Sequence, residues 1–256
     1  MRNRFLHSIF AVMAVLALSS VAFAQTNKAF DPHDLTGFWE ITNTGRPAGA
    51  LNTMSNNRPP MTDRGKGMFA KTKTGNKELS SGVYPEKDWN DPARWCDPMG
   101  FPRVLWNGMP SGMRFVQSRD EVIQLFESGR AWRDLWTDGR KLPSSEVAEP
   151  RWFGYAVGRW DGDTFVVNSN NYIEKTWLDQ YGSPHSDQLT VQERYRRTDP
   201  THLEVVVDVT DPKAYTATWK GDKRVFVLVP KPTRSAMNDF DENICVWSEK
   251  KIQPRN

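Results

Sequence analysis

Two consecutive β-hairpins constrain what this chain can fold into more than any other feature of its sequence. The first is indicated within residues 152–168 by two apolar runs that flank the dipeptide Asp161-Gly162. Asp-Gly between apolar runs is a strong hairpin signal, because a two-residue type I′ turn needs a positive φ at both central positions. A turn at this dipeptide predicts that Trp160 and Asp163 are cross-strand neighbours.

The second hairpin is predicted from residues 189–196 and 203–209, which flank a turn at Asp199-Pro200. Side chains two apart on a strand point to the same face of the sheet. Leu203 and the valines that follow it at alternate positions therefore belong to a core-facing surface. The two hairpins together indicate antiparallel sheet.

Other short apolar runs, bounded by turn residues, predict more strands of the same kind. They lie at residues 37–42, 114–117, 121–127, 131–136, 214–219 and 224–229. Strands of this spacing joined by short connections favour a meander, because parallel neighbours need longer crossovers. The predicted fold class is mostly β: an antiparallel up-and-down barrel of calycin-like form, or a sandwich.

Composition divides the mature chain into two parts. Residues 25–113 are rich in Pro, Gly, Asn, Lys and Met, and they are expected to form a long irregular segment packed on the barrel. Residues 114–256 are expected to form the antiparallel β domain. Within the first part, residues 61–71 predict a short helix capped by Thr62 or Asp63.

Residues 1–24 have the form of a cleavable signal peptide. Arg2 and Arg4 supply a positive start, residues 5–21 are largely apolar, and a small-x-small cleavage pattern ends at Ala24. The alternative, an uncleaved membrane anchor, is disfavoured because the apolar stretch is short for a span. We therefore expect a periplasmic or secreted protein with no membrane association after cleavage.

Export changes how the two cysteines are interpreted. Cys96 and Cys245 lie far apart in the sequence, and neither stands in a C-x-x-C or C-x-x-H spacing. In an oxidising compartment two such cysteines are expected to form a disulfide. A catalytic or metal-binding thiol is the alternative.

Charge and motifs exclude several partners and cofactors. The 34 Lys and Arg residues and 31 Asp and Glu residues give a formal charge of +3, part of which belongs to the predicted signal peptide. The basic residues form no sustained stripe, so nucleic acid is not an expected partner. No G-x-G-x-x-G or P-loop is present, and the few dispersed histidines make a metal site unfavourable. We expect no cofactor.

Several motifs resemble an uncharacterised family of exported bacterial proteins. Gly37-x-Trp39 on an early strand is similar to the lipocalin and calycin pattern. Stronger similarity covers about residues 95–247, and it implies export and a mostly β fold but no activity. The motifs that carry it are C-x-P-x-G-x-P-R from Cys96, W-T-D-G-R from Trp136, G-R-W-D-G-D-T from Gly158, W-L-D from Trp177, G-x-P-H-S from Gly182, Glu193-Arg194 and D-P-x-x-Y-T from Asp211.

His185 is the first catalytic candidate. It lies in a Gly-Ser-Pro-His-Ser-Asp loop before a strand, and imidazole suits proton transfer near neutral pH. Asp187, Glu193, Asp208 or Asp179 could orient the ring. The alternative is a loop histidine that hydrogen-bonds the backbone and stabilises the turn.

Glu193 and Asp208 are the second candidate, because the second hairpin makes their strands neighbours. If both faced the barrel interior, they would form an acid–base pair or a pair neutralised by Arg194 or Arg133. The alternative is a surface ladder of ion pairs, the commoner fate of charges on antiparallel strands.

Aromatic residues form the third candidate, either as core or as a stacking surface for a ligand. The candidate ligand-binding residues are Trp152, Tyr155, Tyr172 and Trp177, together with Arg194; Trp132 and Trp136 belong to the same aromatic group.

Two functions follow from these candidates. The first is a cofactor-independent exported enzyme, a lyase or hydrolase that acts by acid–base chemistry on a small aromatic or carbohydrate substrate. The second is a non-catalytic exported protein that binds a small apolar ligand. The enzyme requires His185 and a carboxylate in one pocket, whereas the binding protein requires only an aromatic cavity.

Overall fold

The structure, a computed structural model, describes residues 30–41, 52–75, 82–106, 112–229, 240 and 244–246. The predicted signal peptide, residues 1–24, lies outside these described residues. Within them, no helix is both long and apolar enough to cross a membrane.

The described chain is mostly β-strand. The one α-helix in these ranges, α1, spans Asp63–Phe69 and begins after Thr62, whose side chain accepts a hydrogen bond from the Gly65 amide. Short 3₁₀ helices occur at Glu86–Asp88, Pro92–Trp95, Arg103–Leu105 and Ser128–Arg130. The strands are β1 (Gly37–Ile41), β2 (Gly112–Gln117), β3 (Glu121–Phe126), β4 (Ala131–Trp136), β5 (Tyr155–Asp161), β6 (Thr164–Asn170), β7 (Thr190–Arg197), β8 (His202–Thr210), β9 (Trp219–Lys220) and β10 (Arg224–Val229).

Nine of these strands close into a barrel. Strands β1 to β8 follow one another in chain order, and β10 pairs with both β8 and β1 to complete the ring. Strand β9 is an additional partner of β8. Of the two predicted architectures, the barrel is therefore confirmed over the sandwich. Closure satisfies the backbone groups that open sheet edges would expose.

The closing strand β1 comes from the segment predicted to be largely irregular. Its residues pair with β10 on one side and with β2 on the other. The same segment is tied to the C-terminal region by a disulfide between Cys96 and Cys245, whose Cα atoms are 5.3 Å apart. The predicted disulfide is thus present.

One neighbouring pair departs from the predicted antiparallel meander. Strands β4 and β5 are parallel, and only two residue pairs join them, Leu135 with Ala156 and Trp136 with Val157. Residues 137–154 connect these strands and are numerous enough for the crossover that parallel neighbours require. The short pairing leaves the first half of β4 without β5 beside it.

The first hairpin forms, but its predicted register is wrong. Trp160 pairs with Phe165 rather than with Asp163, and the two-residue turn is Gly162-Asp163. Gly162 has a φ of 54° and stands first in the turn, the position that type II′ turns give to glycine. Because the register moves by two residues, every side chain keeps its predicted face.

The second hairpin provides much of the barrel's core. Side chains alternate between buried and more exposed along β7 and β8. The alternate residues Leu203, Val205, Val207 and Val209 are all buried, as predicted. Large aromatic side chains fill the same interior: Tyr195 from β7, and Trp39, Phe115, Phe165 and Phe226 from other strands.

Candidate functional site

A polar cluster lies inside the barrel among these apolar side chains. Its members are Gln124 on β3, Arg133 on β4, and Glu193 and Tyr195 on β7, and we call them the interior cluster. Strand alternation turns all four inward, and all four are buried. Ionised side chains are rarely buried in this way unless they are paired.

Hydrogen bonds set the position of every member of the interior cluster. Arg133 donates from Nε and Nη2 to Gln124 Oε1, at 2.9 and 2.7 Å, and its Nη2 also donates to Glu193 Oε2. Gln124 Nε2 donates to the Tyr195 hydroxyl at 3.2 Å, and that hydroxyl donates to Glu193 Oε2. The Phe101 ring covers the guanidinium, with its centroid 3.5 Å from Arg133 Cζ.

Burial and charge act on the ionisation of this cluster. Burial alone would lower the pKa of Arg133, but the adjacent Glu193 and Tyr195 outweigh it and raise that pKa. Burial, followed by the charge of Glu193, raises the pKa of the Tyr195 hydroxyl well above its usual value. Near neutral pH, the arginine is therefore cationic and the tyrosine is protonated.

Two atoms of the cluster have no hydrogen-bond partner among the residues that the structure describes. They are Nη1 of Arg133 and Oε1 of Glu193, and both are inaccessible to bulk solvent. Buried polar groups in folded proteins are nearly always paired, so each such exception needs an explanation. Both atoms are covered by protein, so a molecule bound at the surface does not reach them in this structure.

A cavity of about 520 Å³ opens where β4 and β5 diverge. We call it the aromatic cleft. Its ring-bearing lining residues are Trp132, Trp136, Trp152, Phe153 and Tyr155, and its charged ones are Arg133, Asp134 and Arg151. Arg133 therefore belongs both to the cleft and to the interior cluster. Trp132 is 64% exposed, which is unusual for so large an apolar side chain.

Two arginines stack on the rings of the aromatic cleft. Arg140 Cζ lies 3.6 Å from the centroid of Trp136, and Arg151 Cζ lies 4.1 Å from that of Tyr155. Cation–π contacts of this kind hold aromatic side chains in place at a surface. The rings are therefore oriented before any ligand arrives.

The predicted aromatic candidates separate in the structure. Trp152 and Tyr155 lie together in the cleft, with Trp132 and Trp136. Tyr172 is buried and donates its hydroxyl to Ser169 Oγ at 2.5 Å, and burial raises its pKa. Trp177 is also buried and lies elsewhere, with Arg103 Cζ 5.8 Å from its ring centroid.

His185 does not lie where the sequence predicts. Its side chain is fully buried at 0% exposure and does not line the aromatic cleft. Nε2 is 2.7 Å from Thr176 Oγ1, and Nδ1 is 3.2 Å from the Ser186 carbonyl oxygen. His185 therefore does not share a pocket with the aromatic candidates of the cleft, because the residues around it, 183–186, are all buried and enclose the ring.

The carboxylates proposed to orient His185 all have other partners. Asp187 is paired with Lys213, which lowers the pKa of that carboxyl. Buried Asp179 accepts hydrogen bonds from Thr53 and Ser183 hydroxyls, both at 2.8 Å, and burial raises its pKa.

Glu193 and Asp208 do not form a pair, because they lie on opposite faces of the sheet. Glu193 pairs in register with Val207, so its side chain turns inward, whereas Asp208 turns outward. Asp208 contacts Arg194 at 2.9 Å and Lys220 at 3.0 Å. Arg194 is thus part of an outer ion-pair ladder and is remote from the interior cluster. Asp208 is thus on the outer face of the sheet but buried in its contacts with Arg194 and Lys220, whereas Glu193 faces the interior.

Gln124 is the member of the site that sequence reasoning missed. A lone glutamine on a strand carries no motif, and only its inward position between Val122 and Phe126 marks it.

Among the described residues, no group of three or more His, Cys, Asp or Glu side chains could hold a metal ion.

No protein-family model, curated protein or solved structure matches this chain. The site must therefore be interpreted from its own geometry.

Proposed function

We propose that this protein is an exported barrel that binds a small aromatic ligand in the aromatic cleft. One observation carries the proposal: Trp132, Trp136, Trp152, Phe153 and Tyr155 line one cavity at the gap between two barrel strands. Rings that only build a core have no reason to line an open cleft. Export, to the periplasm or the medium, is supported by the signal-like residues 1–24 and by the disulfide.

The size and lining of the cleft favour a small ligand. Its volume of about 520 Å³ falls within the range of roughly 300–1,000 Å³ that small-molecule sites occupy. The lining combines five aromatic side chains with the charged side chains of Arg133, Asp134 and Arg151. A carbohydrate needs many hydrogen bonds, and apart from the Tyr155 hydroxyl and the indole N–H groups the hydrogen-bonding side chains of the cleft are Arg133, Asp134 and Arg151. An aromatic ligand therefore fits the lining better than a sugar.

A second candidate is the acid–base enzyme, a lyase or hydrolase acting on the same ligand. The observation behind it is the Oε1 of Glu193, which has no hydrogen-bond partner among the described residues. Because Glu193 does not line the cleft, this candidate requires a substrate group that enters the barrel interior. Both nitrogens of His185 have partners, so Glu193 replaces it as the proposed base. Product formation by the wild type that Glu193→Gln abolishes in folded protein would support this candidate; unchanged turnover would exclude it.

Ligand screening tests the binding function directly. The mature protein is screened by thermal shift against small aromatic compounds and against mono- and disaccharides. We expect aromatic compounds to raise Tm and sugars to leave it unchanged. Tm elevation by sugars alone would contradict the proposal.

A matched pair of variants locates the binding site. Trp132→Ala removes an exposed ring of the cleft and should weaken aromatic ligands by roughly 2- to 10-fold. Val116→Ala removes an exposed apolar side chain of β2 outside the cleft and should leave affinity unchanged. Equal effects of the two substitutions would place the binding site elsewhere.

A further inference from the structure

We infer that the ligand of the aromatic cleft is a cationic aromatic compound whose ammonium group pairs with Asp134, between the rings of Trp132 and Trp136. This inference rests on the proposed binding function and adds the chemical class of the ligand. It follows from the order of side chains along β4, from the open carboxylate of Asp134 and from the electrostatics of the rings beside it.

Alternation along β4 brings two indoles and a carboxylate to one face of the strand. The inward side chains, Arg133 and Leu135, are buried in the barrel. The intervening ones, Trp132, Asp134 and Trp136, therefore point outward, and all three line the cleft. Alternate residues of a strand lie about 6.5 Å apart along it. A cation bound at the carboxylate is therefore close to an indole on either side.

The carboxylate of Asp134 is open to a ligand. Its side chain is half-buried, and within the described residues it makes no hydrogen bond and no ion pair. Its oxygens are not among the unpartnered side-chain atoms that protein covers, so solvent reaches them. The next aspartate along the chain, Asp138, is instead paired with Arg140 at 2.6 Å. The partner that Asp134 lacks is a cation.

The rings of the cleft attract a cation and disfavour an anion, because the face of an aromatic ring is negative. Arg140 on Trp136 and Arg151 on Tyr155 already make such contacts. Trp132 is 64% exposed, and among the described residues no cation or ring stacks on it. An ammonium group at Asp134 therefore gains an ion pair and the free face of a neighbouring indole.

Arg151 is the charge of the lining that would favour an anion instead. It belongs to the connection between β4 and β5, its guanidinium lies on the Tyr155 ring, and it forms no ion pair with Asp134. Ring faces favour the pairing of a cation at Asp134 and oppose that of an anion at Arg151. Arg133 adds no unbalanced charge, because Glu193 pairs with it inside the barrel.

Three probes of similar size separate a cationic ligand from neutral and anionic ones. Phenethylamine is a cation at neutral pH, as primary amines are, phenethyl alcohol is neutral, and phenylacetate is an anion. We expect the amine to bind the mature protein roughly 5- to 30-fold more tightly than the alcohol, because it adds a partly exposed ion pair and a cation–π contact. Phenylacetate should bind most weakly. Affinity is measured by calorimetry at neutral pH and low salt.

Each result has a distinct meaning. Equal affinity for the amine and the alcohol, or no binding of the amine when other aromatic compounds bind, would overturn the inference and leave the binding function intact. Tightest binding of phenylacetate would also overturn it and would identify Arg151 as the selecting charge. Absence of binding by every aromatic compound would contradict the binding function itself, and the inference with it.

A matched pair of variants assigns the preference to Asp134. Asp134→Asn removes the charge and keeps the size, so the ratio of amine to alcohol affinity should fall by about threefold or more. Asp161→Asn makes the same change at an exposed position of β5 outside the cleft, and it should preserve the ratio. A preserved ratio in Asp134→Asn would refute the assignment.

Salt dependence tests the ion pair without any substitution. Raising the ionic strength from about 0.01 M to about 1 M shortens the Debye length from about 30 Å to about 3 Å. The ratio of amine to alcohol affinity should therefore decrease in the wild type and change less in Asp134→Asn. The same ratio at both ionic strengths in the wild type would show that no ion pair holds the amine, and would overturn the inference.

Discussion

The interior cluster around Arg133 and the loop around His185 are both buried and polar, but they differ in how completely their atoms are paired. In the loop, Nδ1 of neutral His185 donates to the Ser186 carbonyl and Nε2 accepts from Thr176. The Ser186 amide and hydroxyl both donate to Asp211. The interior cluster instead has an unpaired nitrogen and an unpaired oxygen beside a cavity.

This difference separates a fully paired network from a cluster that keeps two unpaired atoms. A buried loop whose polar atoms are all engaged is stabilised by them, and it has no donor or acceptor left for a ligand. Burial also lowers the pKa of His185, so the ring stays neutral and cannot act as an acid near neutral pH. A histidine in a conspicuous motif is therefore the less reactive of the two groups.

The largest effect that would sharpen the comparison is expected from Glu193→Gln. The substitution leaves Arg133 buried without its counter-ion, and the loss of one partner of a buried pair costs about 3–5 kcal/mol of unfolding free energy. Urea denaturation measures this loss. Glu204→Gln on β8 breaks a more exposed pair with Lys223 and should cost no more than about 1 kcal/mol. Similar losses from the two would mean that Glu193 is not held as a buried ion.

The next largest loss of unfolding free energy is expected at Gly100, which lies between the two regions. Gly100 has a φ of 72°, and a Cβ there would lie 2.7 Å from Thr176 Cγ2. Its neighbour Phe101 stacks on Arg133, while Thr176 bonds His185. Gly100→Ala should therefore lower the unfolding free energy by about 1–3 kcal/mol more than Gly139→Ala does.

Gly139 is the matched control for that substitution. It also has a positive φ, of 83°, but no heavy atom lies within 4 Å of its would-be Cβ. Gly139→Ala thus incurs only the backbone penalty of roughly 1–2 kcal/mol. Identical losses at the two positions would show that the contact between Gly100 and Thr176 does not matter.

His185→Gln should lower the unfolding free energy, by less than Glu193→Gln does. Glutamine cannot reproduce both ring hydrogen bonds, and an unmade buried bond costs about 1–3 kcal/mol. The affinity of the folded variant for aromatic ligands should equal that of the wild type, since His185 does not line the cleft. His202→Gln, at a half-exposed pair with Asp199, should change stability by less than about 1 kcal/mol. Loss of binding without loss of stability would restore His185 as a functional residue.

The smallest effect is a dependence of stability on pH. The pKa of His185 lies below 6.5 in the folded protein, so the unfolded chain binds more protons as the pH falls through that value. Unfolding free energy should therefore decrease below about pH 6.5. This part of the pH dependence should disappear in His185→Gln, as measured by urea denaturation from pH 7.5 to 5.5. Parallel profiles for the two proteins would contradict a buried neutral ring.

Local patterns in the sequence were sufficient for most of the strands and for the core face of β8. The strand predicted at residues 214–219 is wrong, because only Trp219 of that run lies in a strand, the two-residue β9. Alternation identified the buried valines of β8, but it left open whether Glu193 faces the interior or the surface. Thr62 was recognised as a helix cap because its hydroxyl and the following residues form a local motif. The predicted strand register at Asp161-Gly162 is wrong by two residues. A type I′ turn would place glycine second in the turn, whereas the observed turn has Gly162 first, as type II′ turns do.

The sequence by itself determined where most of the strands lie and which side of β8 faces the core, because these depend on periodicity between near neighbours. Only the tertiary structure decided that the barrel closes through β1, that β4 and β5 run parallel, and that their divergence opens a cleft beside Arg133. It also decided that His185 is enclosed and fully bonded. Those outcomes depend on contacts between residues far apart in the chain, which no local pattern encodes.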